Sequence, residues 1–499
     1  MTTVYYNNSS NQNRINRFLA PILIGAFFCF LSIFYGVREY PDSITYIYHY
    51  TEREPVYVLF LQLIRAVFTE QYYLQVACVI QNVIAAIITW YLYRTIQRRF
   101  AMPFLMEWIV LAVLLLPHLL SGVLSSSGMI LTNSILSEGI TYSLYQLFAA
   151  YLLNLVWTRE NKYAVLSLAV AFTESITRSQ LMPLMLVYLI VEFVILLKQK
   201  GQKAKKILGI CSLIISIIGA FFLRDLCIRT NNYIQNGKFI GTTSGGATIL
   251  TNVIYSSDRD SLDRISDELT EEEYFRLSQV FDDIEEQQLG YRNSGDGIIA
   301  HISHHEDAHD RIKFGRLEGS LRRLAETELY GYNYDEIVAG TVEDYVYPDP
   351  EEVDEKVDEI AARYAKLLLK ESLPQYIQTY IYVAIGGFIR TVGLMKPAFI
   401  VYAAAVFVGL IAMLIVLYLS LRKMDSGDEK KERQSVCGFI AITLLMTFAN
   451  VFATSLTIMC LNRYMIYNTG LVYLSLILGV WQVWKMIRKE NRKAIQKAN

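Results

Sequence analysis

Charge, proline and cysteine are all scarce in this chain. Only 19% of its 499 residues are charged and only 10 are proline. Soluble domains carry about 25% charged residues, so one large soluble body is disfavoured. The 6 cysteines (Cys29, Cys78, Cys211, Cys227, Cys437 and Cys460) include no CxxC pair. That leaves neither a disulfide framework nor thiolate zinc spacing. The glycine-rich stretch Gly241–Gly246 (GTTSGG) lacks the Lys-Ser/Thr ending of a phosphate-binding loop. The first apolar run follows Arg14 and Arg17 but has no small-residue cleavage site, so it reads as a retained signal anchor. No internal repeat or long heptad is present.

Apolar and aromatic residues are abundant instead, at 53% and 13%, with a mean hydropathy of +0.30. Runs suited to crossing about 30 Å of hydrocarbon lie near 18–36, 72–93, 102–120, 134–156, 163–176, 181–197, 207–223, 397–421, 436–459 and 468–486. The net charge of −1 hides a division. Residues 251–360 hold 30 of the 47 acids and 10 of the 46 bases, and the rest of the chain is basic. The fold class expected is an α-helical polytopic membrane protein of about ten transmembrane helices. A membrane domain over 1–223 includes the first outer loop at 37–71. An acidic, α-rich extracytoplasmic insert covers 224–396, and a second membrane domain covers 397–499. Helices are expected at Glu271–Gln287 and Glu351–Lys370, the latter with acids first and Lys366 and Lys370 last. Residues 376–395, apolar but containing Gly386, Gly387 and Arg390, are expected to form an interfacial or re-entrant segment.

Lysine and arginine bias sets the orientation. With ten spans, Arg14/Arg17, Arg94/Arg98/Arg99, Arg159/Lys162, Lys198–Lys206, Arg422–Arg433 and the tail from Lys485 all fall on one side. This implies a multi-pass plasma-membrane protein with both termini cytoplasmic.

A charge in hydrocarbon costs about 2.5–3.5 kcal/mol on insertion scales, so such residues are functional candidates. Asp42, Glu138, Glu174, Arg178 and Arg463 lie at the outer ends of their spans or in adjoining turns, and Glu107 lies toward the inner end of its own. The clustered set suits chemistry at the outer surface better than a path through the membrane. The run Val56–Phe68 fits a helix lying in the interface. The plainer reading of Asp42 is a helix cap, that of Arg53 a snorkelling base, and that of Glu138 a structural partner of Arg178.

Asp42 just after the first span is followed by Arg53-Glu54-Pro55-Val56-Tyr57-Val58-Leu59. Leu136-Ser137-Glu138 opens the fourth span, Thr177-Arg178-Ser179-Gln180 forms a turn, and Asn462-Arg463-Tyr464 precedes the last span. In order and placement this set resembles the GT-C class of polytopic glycosyltransferases, in particular bacterial relatives of protein O-mannosyltransferases and of the lipid A aminoarabinose transferase. The single acid in the first loop departs from the Asp-Glu pair of many relatives, and nothing in 230–375 takes part in the resemblance. It implies transfer of a sugar from a polyprenyl-phosphate or -diphosphate carrier on the outer face, with inversion, to a glycan, lipid or peptide acceptor. Asp42 would be the base, and Arg178 and Arg463 would grip the donor phosphate. Arg53, Glu54, Tyr57, Glu138 and Tyr464 would line the substrate site. No cofactor is required, and no nucleic acid is expected as a partner.

The segment His301-Ile302-Ser303-His304-His305-Glu306-Asp307-Ala308-His309-Asp310 stands apart. His301, His305 and His309 share one helical face. That face reads as solvated, or as a divalent metal or acceptor site. His305-Glu306-Asp307-Ala308-His309 also matches the H-E-x-x-H pattern of zinc proteases. Two further alternatives remain at this stage: a polysaccharide polymerase or ligase of O-antigen type, using Arg and His of 224–396, and a lipid or glycan transporter.

Overall fold

The computed structural model describes residues 11–100, 102–124, 129–199, 203–243, 245–342, 346–393, 399–424 and 427–498. Among these residues there is no β-strand, only a single bridge between Arg38 and Ser134. Sixteen longer helices are numbered here: α1 (Asn11–Tyr35), α2 (Pro55–Val67), α3 (Tyr73–Arg99), α4 (Phe104–Leu124), α5 (Glu138–Thr158), α6 (Asn161–Ser175), α7 (Pro183–Lys198), α8 (Lys203–Asn236), α9 (Gly245–Ser256), α10 (Glu271–Glu286), α11 (Ile298–Ile312), α12 (Glu318–Tyr330), α13 (Pro350–Gly393), α14 (Ile400–Arg422), α15 (Asp428–Thr457) and α16 (Thr469–Ala498). Among the described residues, eight helices are long and apolar enough to cross a membrane. The chain is therefore an α-helical membrane-embedded protein.

Each of the ten apolar runs in the sequence becomes a helix, but α5 and α6 are not among the eight. For α5 the reason is its position. Tyr145, Phe148, Ala149, Ala150 and Leu152 are at most 1% exposed. Protein rather than lipid surrounds this helix, so polar residues such as Glu138, Ser143 and Gln146 can be carried inside it. The outer helices show the opposite pattern, with Ile33, Leu105, Ile215 and Val401 facing outward. The amphipathic α2 buries Tyr57, Leu61 and Ile64 and exposes Leu59, Leu63 and Val67, as a helix in the interface should.

The two ends of the bundle differ. At one end Arg99 Nε donates to Ser435 Oγ at 2.6 Å, Trp157 Nε1 donates to the Ser435 carbonyl at 3.3 Å, and Lys485 pairs with Glu432 at 2.7 Å. The basic helix ends gather here. At the other end the loops at 36–54, 129–137, 176–181 and 458–468 converge. The loop after α1 is pinned there through its backbone: Arg38 N donates to Asn133 O and Ile135 N to Arg38 O, both at 2.9 Å. Asn133 Nδ2 in turn donates to the carbonyls of Leu31 and Gly36.

The acidic segment packs over this second end with a core of its own, built from Leu250, Val253, Tyr255, Leu277, Phe281, Leu321, Tyr364 and Leu368. Helix α10 starts at a capping box, with Thr270 and Glu273 each satisfying the other's backbone N–H. The expected helix at Glu351–Lys370 is real but runs on. α13 is 44 residues long, and the segment at 376–393 is its continuation into the bundle rather than a re-entrant loop. Pro374 falls inside α13 and removes one backbone donor. Gly386 and Gly387 are not breaks. A Cβ at Gly386 would stand 3.0 Å from Ile302 of the insert, and one at Gly387 would stand 2.9 Å from both Cys460 Sγ and Val451 of the bundle. Helix α9 packs along α13. The boundary expected at 396 lies outside the described residues.

Candidate functional site

Where the four loops meet, five charged side chains form a chain of ion pairs. Arg53 approaches Asp42 at 3.9 Å, and Asp42 pairs with Arg463 at 3.2 Å. Arg463 Nε lies 3.7 Å from Glu138, whose other oxygen pairs with Arg178 at 2.7 Å. Three guanidiniums thus surround two carboxylates. Arg53 also meets Glu52 at 3.1 Å on its outer side. The series grades from wet to dry. Asp42 has a side-chain exposure of 42%, Arg463 of 25% and Glu138 of 2%.

Local structure explains each placement. Asp42 occupies the cap position of the short helix Ser43–Ile47, but its side chain makes no capping bond. Its carboxylate faces the arginines instead, so the helix-cap reading is correct for the backbone and not for the side chain. Glu138 opens α5, where the helix dipole favours a carboxylate. Arg178 is held by Ser137 Oγ at 3.1 Å and Gln180 Oε1 at 3.1 Å. Burial opposes the Arg178 charge, and the adjacent Glu138 together with Tyr467, Tyr464 and Tyr46 outweighs it, keeping the guanidinium protonated. Both Arg178 and Arg463 lie over the Tyr464 ring, at 4.6 and 4.9 Å from its centroid. Arg463 also donates to the Tyr464 hydroxyl at 2.7 Å. One aromatic ring therefore contacts both cations, and Arg463 Nε has no hydrogen-bond partner among the described residues.

Other expected residues support this group from behind. Tyr57 is fully buried, and its hydroxyl donates to Gln81 at 2.8 Å. It packs edge-on against Tyr46, with centroids 5.2 Å apart, so it backs the site rather than lining it. Glu54 accepts from the Ser179 N–H at 2.7 Å and clamps the Arg178 turn. Arg53 lies over Tyr46 at 4.8 Å and donates to Thr45 at 2.6 Å, which is more than snorkelling.

Three residues absent from the expected set belong to it. The Tyr46 hydroxyl lies 3.0 Å from Ser137 Oγ and joins the first loop to α5. Gln180 links Arg178 to Thr454 of α15 at 2.7 Å. Arg224 of α8 donates to Ser179 Oγ at 2.5 Å and to the Ser175 carbonyl at 3.2 Å.

The histidines lie elsewhere. His301, His305 and His309 share one face of α11, as their spacing predicts, but that face is buried, at 2%, 1% and 1% exposure, rather than solvated. His301 bonds Ser294 at 2.9 Å, His305 bonds Asn252 at 3.1 Å, and His309 lies against Asp310 at 3.2 Å. Residues eight apart on a helix are separated by about 12 Å along its axis, too far for three such side chains to share one ion. Among the described residues, no group of three or more His, Cys, Asp or Glu is placed to hold a metal. Glu306, the acid of the H-E-x-x-H match, pairs with Arg390. Burial raises the proton affinity of Glu306, and Arg390 partly offsets that. Arg390 also donates to the Cys460 carbonyl at 3.0 Å, three residues before Arg463.

Compared with known proteins, the chain matches no family model, no curated protein and no solved structure.

Proposed function

We propose that this protein is a membrane glycosyltransferase of GT-C type, moving a sugar from a polyprenyl-phosphate-linked donor to an extracytoplasmic acceptor with inversion. The observation that carries the reading is the convergence of Asp42, Arg463, Glu138 and Arg178 at one end of the bundle, with two guanidiniums against one tyrosine ring. The basic ends at the opposite pole support cytoplasmic termini and an outward-facing site, in a plasma membrane.

In the proposed reaction an acceptor hydroxyl attacks the anomeric carbon. The sugar–phosphate C–O bond breaks, and its electron pair leaves on the phosphate. Arg463 and Arg178 balance that charge. An arriving phosphate competes with Asp42 for Arg463, and the displaced carboxylate takes the proton of the attacking hydroxyl. Glu138, held between both arginines, fixes their separation. The transfer as written requires no metal. Ion-path transport is less well supported, because these charges gather at one end.

The test is transfer of labelled sugar from polyprenyl-phosphate donors in proteoliposomes. Asp42→Asn keeps the shape and removes the base, so we expect a loss of about 10²–10⁴-fold with normal insertion. Undiminished transfer by Asp42→Asn would overturn the assignment of the base, and no transfer by wild type with either phosphate or diphosphate donors would overturn the reaction.

A further inference from the structure

The polar insert carries an apolar groove of about 470 Å³ between α9 and α13, walled by Ile249, Ala365, Leu369 and Leu373 and edged by Lys366 and Lys370. Its size lies within the range of about 300–1,000 Å³ typical of ligand pockets. An open apolar groove is out of place in so acidic a segment unless something apolar fills it.

Three observations indicate what that is. The groove is continuous with a stripe of exposed residues one turn apart on α13, Leu373, Ile377 and Ile381. That stripe descends beside the membrane-spanning α15, whose Phe452 and Leu456 are also exposed. The level is fixed where the Tyr376 hydroxyl donates to the Leu456 carbonyl at 3.1 Å, at the end of α15. Lys370 and Lys366 lie six and ten residues above that point, roughly 9 and 15 Å along the helix. A headgroup layer extends about 5–8 Å beyond the hydrocarbon on each side, so Lys370 stands at the outer edge of that layer and Lys366 roughly 7 Å beyond it, and their flexible stems reach back toward the phosphates. Finally, the charges around them are committed. Arg363 pairs with Glu273 and Glu328, and Arg264 pairs with Glu371. Lys366 and Lys370 form no ion pair among the described residues.

We propose that this groove binds an anionic phospholipid of the surrounding bilayer, with its phosphate on Lys366 and Lys370 and its acyl chain running from the groove down the Leu373–Ile377–Ile381 stripe. A soluble protein could not follow the stripe to the bilayer. A small free anion would leave the apolar walls unfilled. The insert's excess of acids repels anionic headgroups elsewhere, so the two lysines make the preference local. The inference is independent of the proposed sugar transfer.

The full-length protein in detergent is titrated with phosphatidylglycerol or phosphatidylcholine, and lipid retention is read by native mass spectrometry. Wild type should retain phosphatidylglycerol in preference to phosphatidylcholine, and the exposed charge swap Lys366→Glu/Lys370→Glu should weaken that retention by about tenfold or more. Equal retention of the two lipids, or retention unaffected by the swap, would overturn the proposal. A third arm adds inorganic phosphate. Failure to displace the lipid is expected, whereas ready displacement would reduce the site to a bare anion patch and overturn the acyl-chain part.

Discussion

Glu138 is the residue on which the site's geometry depends most, because it is almost fully buried and bridges two arginines. Removing one partner of a buried pair leaves an uncompensated charge, at about 3–5 kcal/mol. Arg178→Ala should fall toward the lower bound, since Arg463 remains 3.7 Å away. The double change Arg178→Gln/Glu138→Gln should be milder than Arg178→Ala, as measured by thermal unfolding in detergent. A double variant less stable than the single one would contradict this account. These charged residues were legible in the sequence because a charge beside hydrocarbon persists only with a partner or a role. Tyr57 and Glu54 were legible as members of the group but not in their orientation. The sequence places both next to Arg53, and only packing turns Tyr57 toward Gln81 and Glu54 toward Ser179.

At the scale of elements, α13 shows why a composition-based boundary fails. Two adjacent glycines in an apolar segment suggest a break, yet here they allow close approach on two sides: insert at Gly386, bundle at Gly387. Gly387→Val would drive side-chain atoms into Cys460 and Val451, with an overpacking cost of about 1–3 kcal/mol. We expect a lower melting temperature and faster amide exchange in 458–464, the segment leading to Arg463. Unchanged exchange there would show that α13 does not hold that loop in place. The burial of α11 was equally hidden. Its i, i+4, i+8 histidines gave the face correctly, but which way the face turned depended on Tyr255, Tyr291 and Tyr382, whose rings meet His301; Tyr255 and Tyr382 do so from distant parts of the chain.

For the molecule as a whole, the apolar runs were enough to show a membrane-embedded helical protein, because hydropathy acts over whole segments. What they could not give was the insert's docking, which rests on single contacts such as Glu306 with Arg390. The buried histidines add a pH dependence to the insert. Burial lowers the His301 pKa to about 4, and His305 is also held well below its usual value, with neighbouring His309, His301, His304 and Arg390 adding to the effect. Below about pH 6.5 the unfolded chain takes up protons that the folded insert refuses. Stability should therefore be fully present above that pH and decline as pH falls toward 4, by at most about 1.4 kcal/mol per histidine per pH unit. Amide exchange of 298–312 at pH 7.5 and 5, corrected for intrinsic rates, checks this. Equal protection at both would refute it.

The 44-residue helix shared by the insert and the bundle also has a metric consequence. It works as a ruler. The height of the insert above the bundle is set by a count of residues in one continuous helix, about 1.5 Å for each. Adding or removing a single residue between Lys370 and Tyr376 would turn the upper part of the helix by about 100° relative to the lower part. The two faces now held by Gly386 and Gly387 would then no longer be in phase with the faces above them. Length in this segment is consequently less free to vary than its polar, solvent-facing composition suggests.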